Sequence, residues 1–176
     1  SKKTTKGDGD LLNAALSLEH EAIGIYTAAS GLAFMKADAV KPYLIIAGSF
    51  LEHHKGHREA LKGAIASLKK TDSSVADAVE SKSIDDYVSP VIAKLTDPAA
   101  VLRLAALKEM EAAKAYLSLI SSFKDGTLAQ TSGMLGGEEA GHFGALRAAL
   151  FVLGDKSVPN EQVIPGVLPG SWKQDF

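Results

Sequence analysis

The sequence predicts an all-α fold: four long helices arranged as two antiparallel hairpins, a long middle crossover containing a short helix, and an irregular C-terminal tail. Three observations carry this. Apolar residues recur at helical spacing in four separate stretches, and no stretch shows a convincing strand alternation. Alanine and leucine abound while aromatic residues make up only 6% of the chain, a balance that favours helices over sheets. The links are unequal: about eight residues join the first pair of helices and about four the last pair, while the middle link runs over roughly 71–97. Short links fold helices back antiparallel, and a long one can cross the bundle.

Residues 1–9 are polar and read as a flexible N-terminal segment. Asp10 is placed to cap the first helix, which carries Leu12, Leu16, Ile23 and Tyr26 on one stripe and stops at Gly31. Pro42 suits the first turn of the second helix. That helix runs to about 68 with Leu44, Ala47, Leu51, Leu61 and Ile65 on its stripe. Residues 74–96 form a weaker helical region, one broken helix or two short ones. Asp97 and Pro98 read as the cap and first turn of a helix to about 123, with Leu102, Ala105, Ala112, Tyr116 and Ile120 on its stripe. After a turn at Asp125-Gly126-Thr127, the last helix runs to about 153 and ends at Gly154-Asp155. The bundle therefore spans 10–154. Residues 155–176 hold Pro159, Pro165 and Pro169 and read as an irregular tail, whose Trp172 and Phe176 are candidates to dock on this chain or a neighbour.

Composition bounds the function. A chain of 176 residues has room for one good hydrophobic core and not for two large domains. With 46% hydrophobic and 23% charged residues it is not a disordered chain. A net charge of -2 argues against a nucleic-acid partner. The absence of cysteine excludes disulfides, thiolate zinc, iron–sulfur clusters and a cysteine nucleophile. No stretch approaches the roughly 18 apolar residues of a membrane span. The polar start is compatible with an exported, periplasmic location, and a cytoplasmic one stays open.

The two hairpins resemble each other. LSLEHEAIGIY (16–26) aligns with ALKEMEAAKAY (106–116), pairing Glu19 with Glu109, Glu21 with Glu111 and Tyr26 with Tyr116. HKGHREAL (54–61) aligns with EAGHFGAL (139–146), pairing Gly56 with Gly141 and His57 with His142. Two matches in the same order, with polar residues among the identities, point to pseudo-twofold construction.

Those polar residues fall on the apolar stripes. Glu19 lies between Leu16 and Ile23, and Glu109 between Ala105 and Ala112. His54 and His57 lie between Leu51 and Leu61, and Glu139 and His142 between Leu135 and Leu146. Every long helix thus points an ionisable group into the shared core. Buried charges persist only when paired or metal-bound. Carboxylate and imidazole at i, i+3 spacing put two ligands on one helical face, a donor set suited to iron, manganese or zinc.

On these residues the chain resembles the ferritin-like superfamily: bacterioferritins, rubrerythrins and stand-alone ferritin-like domains. The resemblance covers about 10–153 and points to a bacterial protein. It implies that Glu19 and Glu109 are the single glutamate ligands of helices one and three. Glu139 and His142 match the Glu-x-x-His of the fourth helix, and His57 matches the histidine of the second. His54 departs from the pattern, standing where the family has glutamate. Four glutamates would balance two divalent ions, whereas three leave about +1 for a bridging hydroxide or other anion. A dinuclear site would then be asymmetric, or one metal position weak or empty. Glu21, Glu111 and Glu138 are the nearby carboxylates that would compensate.

Other readings stay open beside this one. The six residues would also satisfy a buried network without metal. His54 reads equally as a satisfied core histidine, and His53 is a fallback ligand. His20 falls with Asn13, Ser17 and Thr27 on a face expected to be solvated. Tyr26 and Tyr116 read as core residues whose hydroxyls bond a ligand carboxylate, or as redox-relay tyrosines. The helical glycines Gly56, Gly63, Gly136, Gly137, Gly141 and Gly144 read either as close packing or as room beside a metal. The expected function is a di-iron or di-manganese protein acting on dioxygen or peroxide, possessing metal ions and a small oxidant as partners. Iron storage in a homodimer or larger homo-oligomer, and a metal-free binding bundle, are the alternatives. No catalytic residue is assigned, and ferroxidase- or peroxidase-like activity is an open expectation.

Overall fold

The computed structural model describes residues 7–157. The N-terminal segment expected to be flexible, up to residue 6, and the tail beyond 157, with Trp172 and Phe176, lie outside the described residues. Among the described residues five helices follow in order: α1 (Asp8–Ser30), α2 (Lys41–Thr71), α3 (Ile84–Val88), α4 (Pro98–Leu119) and α5 (Gly126–Val152). Single 3-10 turns sit at Ala33–Lys36, Asp38–Val40, Ile92–Lys94 and Ile120–Ser122.

The helix ends show where local chemistry governs. Asp97 accepts the backbone N–H of Ala100 at 2.9 Å, with Pro98 in the first turn of α4. Asp125 caps α5 by accepting from Thr127 and Leu128. At the other end Gly154 adopts φ of 75°, with Asp155 N–H bonded to Leu150 O and Gly154 N–H to Phe151 O. This left-handed closure favours glycine. The expected cap at Asp10 is displaced: α1 starts three residues earlier, behind Gly7, and Asp10 lies in its first turn. Asp8 instead accepts the N–H groups of Lys124 and Asp125 at 2.9 and 3.0 Å, tying the start of α1 to the link before α5.

Side-chain contacts fix the helix directions. Tyr26 meets Glu109 and Tyr116 meets Glu19, so α1 and α4 run antiparallel. His53 meets His142 and His57 meets Glu138, so α2 and α5 run antiparallel as well. The most extensive packing lies within the hairpins, α1 on α2 and α4 on α5, whereas α2 and α5 approach closely over only a short stretch. Two of the three buried apolar clusters among the described residues flank the polar middle of the long helices: Tyr26, Phe50, Ala106, Phe143 and Leu146 belong to one, and Leu16, Leu61, Ile65, Tyr116 and Leu135 to the other. The ionisable residues on all four stripes lie between them in sequence and in space.

The crossover corrects two expectations. Only residues 84–88 and one 3-10 turn of the 74–96 region are helical, and residues 76–80 lack regular structure. Val75 packs against Gly9 and Tyr87 against Gly24, so the crossover runs along α1. Asn13 donates to Asp77 O at 3.0 Å and accepts from Val79 N–H at 2.8 Å, while His20 Nε2 donates to Val79 O at 3.0 Å. Asn13 and His20 are therefore buried rather than solvated. That face of α1 is polar because it satisfies backbone groups that have no ladder of their own.

Candidate metal centre

At mid-height each long helix turns its carboxylate or imidazole inward. Glu19, His54, His57, Glu109, Glu139 and His142 are all buried. The apolar stripe that drives each helix into the core carries these groups with it, since i and i+3 share a face.

The contacts divide into two similar halves. His57 Nδ1 lies 3.0 Å from Glu139 Oε1 and 3.5 Å from Glu19 Oε1. His142 Nδ1 lies 3.2 Å from Glu139 Oε2 and 3.3 Å from Glu109 Oε2. Glu139 thus offers one oxygen to each half. Opposite it, His54 places Nδ1 2.8 Å from Glu19 and Nε2 3.1 Å from Glu109. Two groups of potential ligand atoms result, Glu19–His54–His57–Glu139 and His54–Glu109–Glu139–His142, each with all atoms within 4.8 Å of one another. All six residues singled out in the sequence meet here. The donor chemistry fits a cation: three carboxylates and three imidazoles converge in a layer bounded by apolar side chains.

The internal repeat reappears as geometry. Tyr26 donates to Glu109 at 2.5 Å, and its counterpart Tyr116 donates to Glu19. Each carboxylate is bonded by the tyrosine of the other hairpin. The outer nitrogens follow the same rule: His57 Nε2 faces Glu138 at 2.9 Å, and His142 Nε2 faces His53 at 2.9 Å. In the repeat, His53 and His54 occupy the positions of Glu138 and Glu139.

A family model described as a ferritin-like domain matches residues 7–152. The chain belongs to the ferritin-like domain family. No curated protein matches the chain, and no solved structure does.

In this ferritin-like domain the electrostatics bind the cluster together even without an ion. Burial opposes charge on His54, but its hydrogen bonds to Glu109 and Glu19 prevail and raise its pKa to about 10. Burial likewise opposes charge on His57 and His142, and their carboxylate partners lift them to about 11 and about 9. Burial pushes Glu19 up, and the hydrogen bonds from His54 and His57 more than reverse it. Glu109 is also pushed up by burial and brought below its ordinary value by His142 and His54. Burial and the adjacent carboxylates hold Tyr26 and Tyr116 well above the usual phenol range, so both hydroxyls stay protonated donors.

Of the nearby carboxylates, Glu138 alone touches an inner histidine; Glu21 and Glu111 both pair with Lys108, at 3.1 and 3.0 Å. Phe50 is a residue the sequence reading passed over: its ring stacks on His142 with centroids 4.0 Å apart. Its position four residues before His54, on the same face, was the available signal. Gly136 is close-packed, since an added Cβ would meet Tyr116 Cβ at 3.1 Å. Gly56, Gly63, Gly137, Gly141 and Gly144 face open space instead.

Proposed function

We propose that this ferritin-like domain is a non-haem metalloprotein holding two divalent ions, iron or manganese with zinc as a substitute, and acting on dioxygen or peroxide. The observation that carries the reading is the pair of buried ligand groups sharing Glu139 and His54. Glu19, His57 and the Nδ1 side of His54 would hold one ion, Glu109 and His142 the other, and Glu139 would serve both. When bound, a pair of redox-active ions supplies electrons to the oxidant.

The chain's own residues set the conditions. Tyr26 and Tyr116 fix the orientation of Glu109 and Glu19 by hydrogen bonding, leaving the second carboxylate oxygen for a cation. Phe50 fixes the ring plane of His142. Leu16, Leu61, Phe143 and Leu146 border the layer and restrict water. His54 in place of a carboxylate lowers the negative charge to three inner glutamates, which leaves about one positive charge for an anionic co-ligand beside two divalent ions. Glu138 at the rim supplies part of that compensation through His57.

A metal-free network is the second reading, favoured by charge: three carboxylates and three raised-pKa histidines neutralise one another. Elemental analysis separates the two. Chelator-free protein should carry two iron or manganese ions per chain in the inner cluster, and Glu139→Ala should lose both. Metal-free protein in both cases, even after reconstitution at micromolar metal, would falsify the metal reading. Storage in a large shell requires a large oligomer, which size-exclusion chromatography distinguishes from a monomeric or dimeric enzyme.

A further inference from the structure

A second group of ligand atoms lies outside the inner cluster, on the α2/α5 seam. His53 Nδ1 stands 2.9 Å from His142 Nε2 and 3.1 Å from Glu138 Oε1. One ligand atom from each of these three residues lies within 4.8 Å of the others. Unlike the inner six residues, His53 and Glu138 have side chains 44% and 42% exposed, so the group opens to solvent.

Three features set it apart from a chance meeting of surface charges. His53 and Glu138 are counterparts in the internal repeat, so their contact straddles the same pseudo-twofold axis as the inner cluster. His142 is buried and belongs to both groups, with Nδ1 toward Glu109 and Glu139 and Nε2 toward His53. Nothing overhangs the adjoining glycines: Gly56, Gly137 and Gly141 have no atom within 4 Å of an added Cβ. Two imidazole nitrogens facing each other at hydrogen-bond distance require one ring to donate and the other to accept. A cation uses both lone pairs at once, and the adjacent carboxylate adds a third bond.

We propose that His53, Glu138 and His142 form an outer site for a divalent transition-metal ion, which holds the ion at the seam before it enters the inner cluster. Two imidazoles and one carboxylate, with remaining positions open to water, suit zinc, cobalt, iron(II) or manganese. The handover rests on the inner centre proposed above; the outer site does not. Both Glu138 and His142 touch the inner group directly, through His57 and Glu139, so an ion at the seam is one layer of side chains from its destination.

The test is a cobalt(II) titration of metal-stripped protein, followed by dialysis, elemental analysis and visible absorption, with uptake timed by stopped flow. Wild type should take three ions per chain, with His142 releasing its remaining ring proton to solvent so that Nδ1 serves an inner ion and Nε2 the outer one. His53→Ala and Glu138→Gln should take two, with uptake slowed by roughly tenfold, the scale at which groups supporting a metal site act. Glu139→Gln should retain one ion, and adding His53→Ala should remove it. Circular dichroism checks that each variant is folded. An unchanged ion count in His53→Ala overturns the outer site, and an unchanged uptake rate overturns the handover. If wild type binds a single ion that His53→Ala abolishes and Glu139→Gln leaves in place, the outer site stands and the inner dinuclear reading fails. No cobalt in wild type rejects both.

Discussion

The two sides of the inner cluster are built differently. On the α1/α4 side, tyrosines from opposite hairpins bond the glutamates, and Lys108 bridges Glu21 and Glu111 beyond them. The space there is a cavity of about 20 Å³ lined by Glu19, His54, Lys108 and Glu109, enough for about one water. On the α2/α5 side, histidines face a half-exposed His53–Glu138 pair among uncovered glycines. One side therefore fixes carboxylates in a closed setting, and the other exposes imidazole and carboxylate to solvent. The contrast assigns orientation to the first side and exchange with solvent to the second.

The largest expected effect comes from the residue both sides share. In a His53→Ala background, which removes the outer site, Glu139→Ala should reduce bound metal from two ions per chain to near none by elemental analysis; retention of one ion there would mean that the halves bind independently. Next comes pH. In metal-free protein His54, His57 and His142 titrate above their ordinary value, at about 10, 11 and 9. Their pairing stabilises the fold fully below about pH 6.5 and is lost as pH climbs through 9 to 11. Glu19 and Glu109 are lowered, so their contribution is present above about 4.5 and lost on acidification through their lowered values. Thermal melts should show a plateau with losses on both flanks. In metal-loaded protein the alkaline loss should vanish, because deprotonated imidazole is the ligand form.

Single substitutions then compare the sides directly. Tyr116→Phe leaves a buried carboxylate short of a donor and should cost about 1–3 kcal/mol in urea unfolding. His53→Ala, at a half-exposed position, should stay within about 0.5 kcal/mol. Equal costs would dissolve the distinction. Effects at the glycines differ in sign. Gly63→Ala points into open space on a helix and should stabilise by about 0.5–1 kcal/mol. Gly24→Ala would bring a Cβ within 2.6 Å of the Tyr87 ring and should destabilise, as overpacking does.

What the sequence made legible follows from periodicity. Four apolar stripes predicted four helices, and the polar residues interrupting them at matching depth converge because helical geometry leaves them no other direction. Asp97 announced its helix because a cap is a local contact, whereas Asp125, read only as part of a turn, proved to be the cap of α5. The crossover was harder to read: Asn13 and His20 look solvated until an extended segment more than fifty residues away occupies their face. Tyr26 and Tyr116 were legible as partners of glutamates, but the exchange between hairpins depends on α1 and α4 running antiparallel in contact, which no local pattern encodes. Glu138 differs from Glu21 and Glu111 only by what stands across the seam.

The tyrosine–glutamate exchange has one further consequence. Residue i of one hairpin bonds residue j of the other, and j bonds i, which is the rule of an isologous contact between identical subunits. Here that contact lies within one continuous polypeptide. In a true homodimer every substitution appears twice, so a histidine could not replace one glutamate and spare its mate. Covalent linkage of the halves lifts that constraint. His54 opposite Glu139, and His53 opposite Glu138, are differences that only a tethered pair can hold.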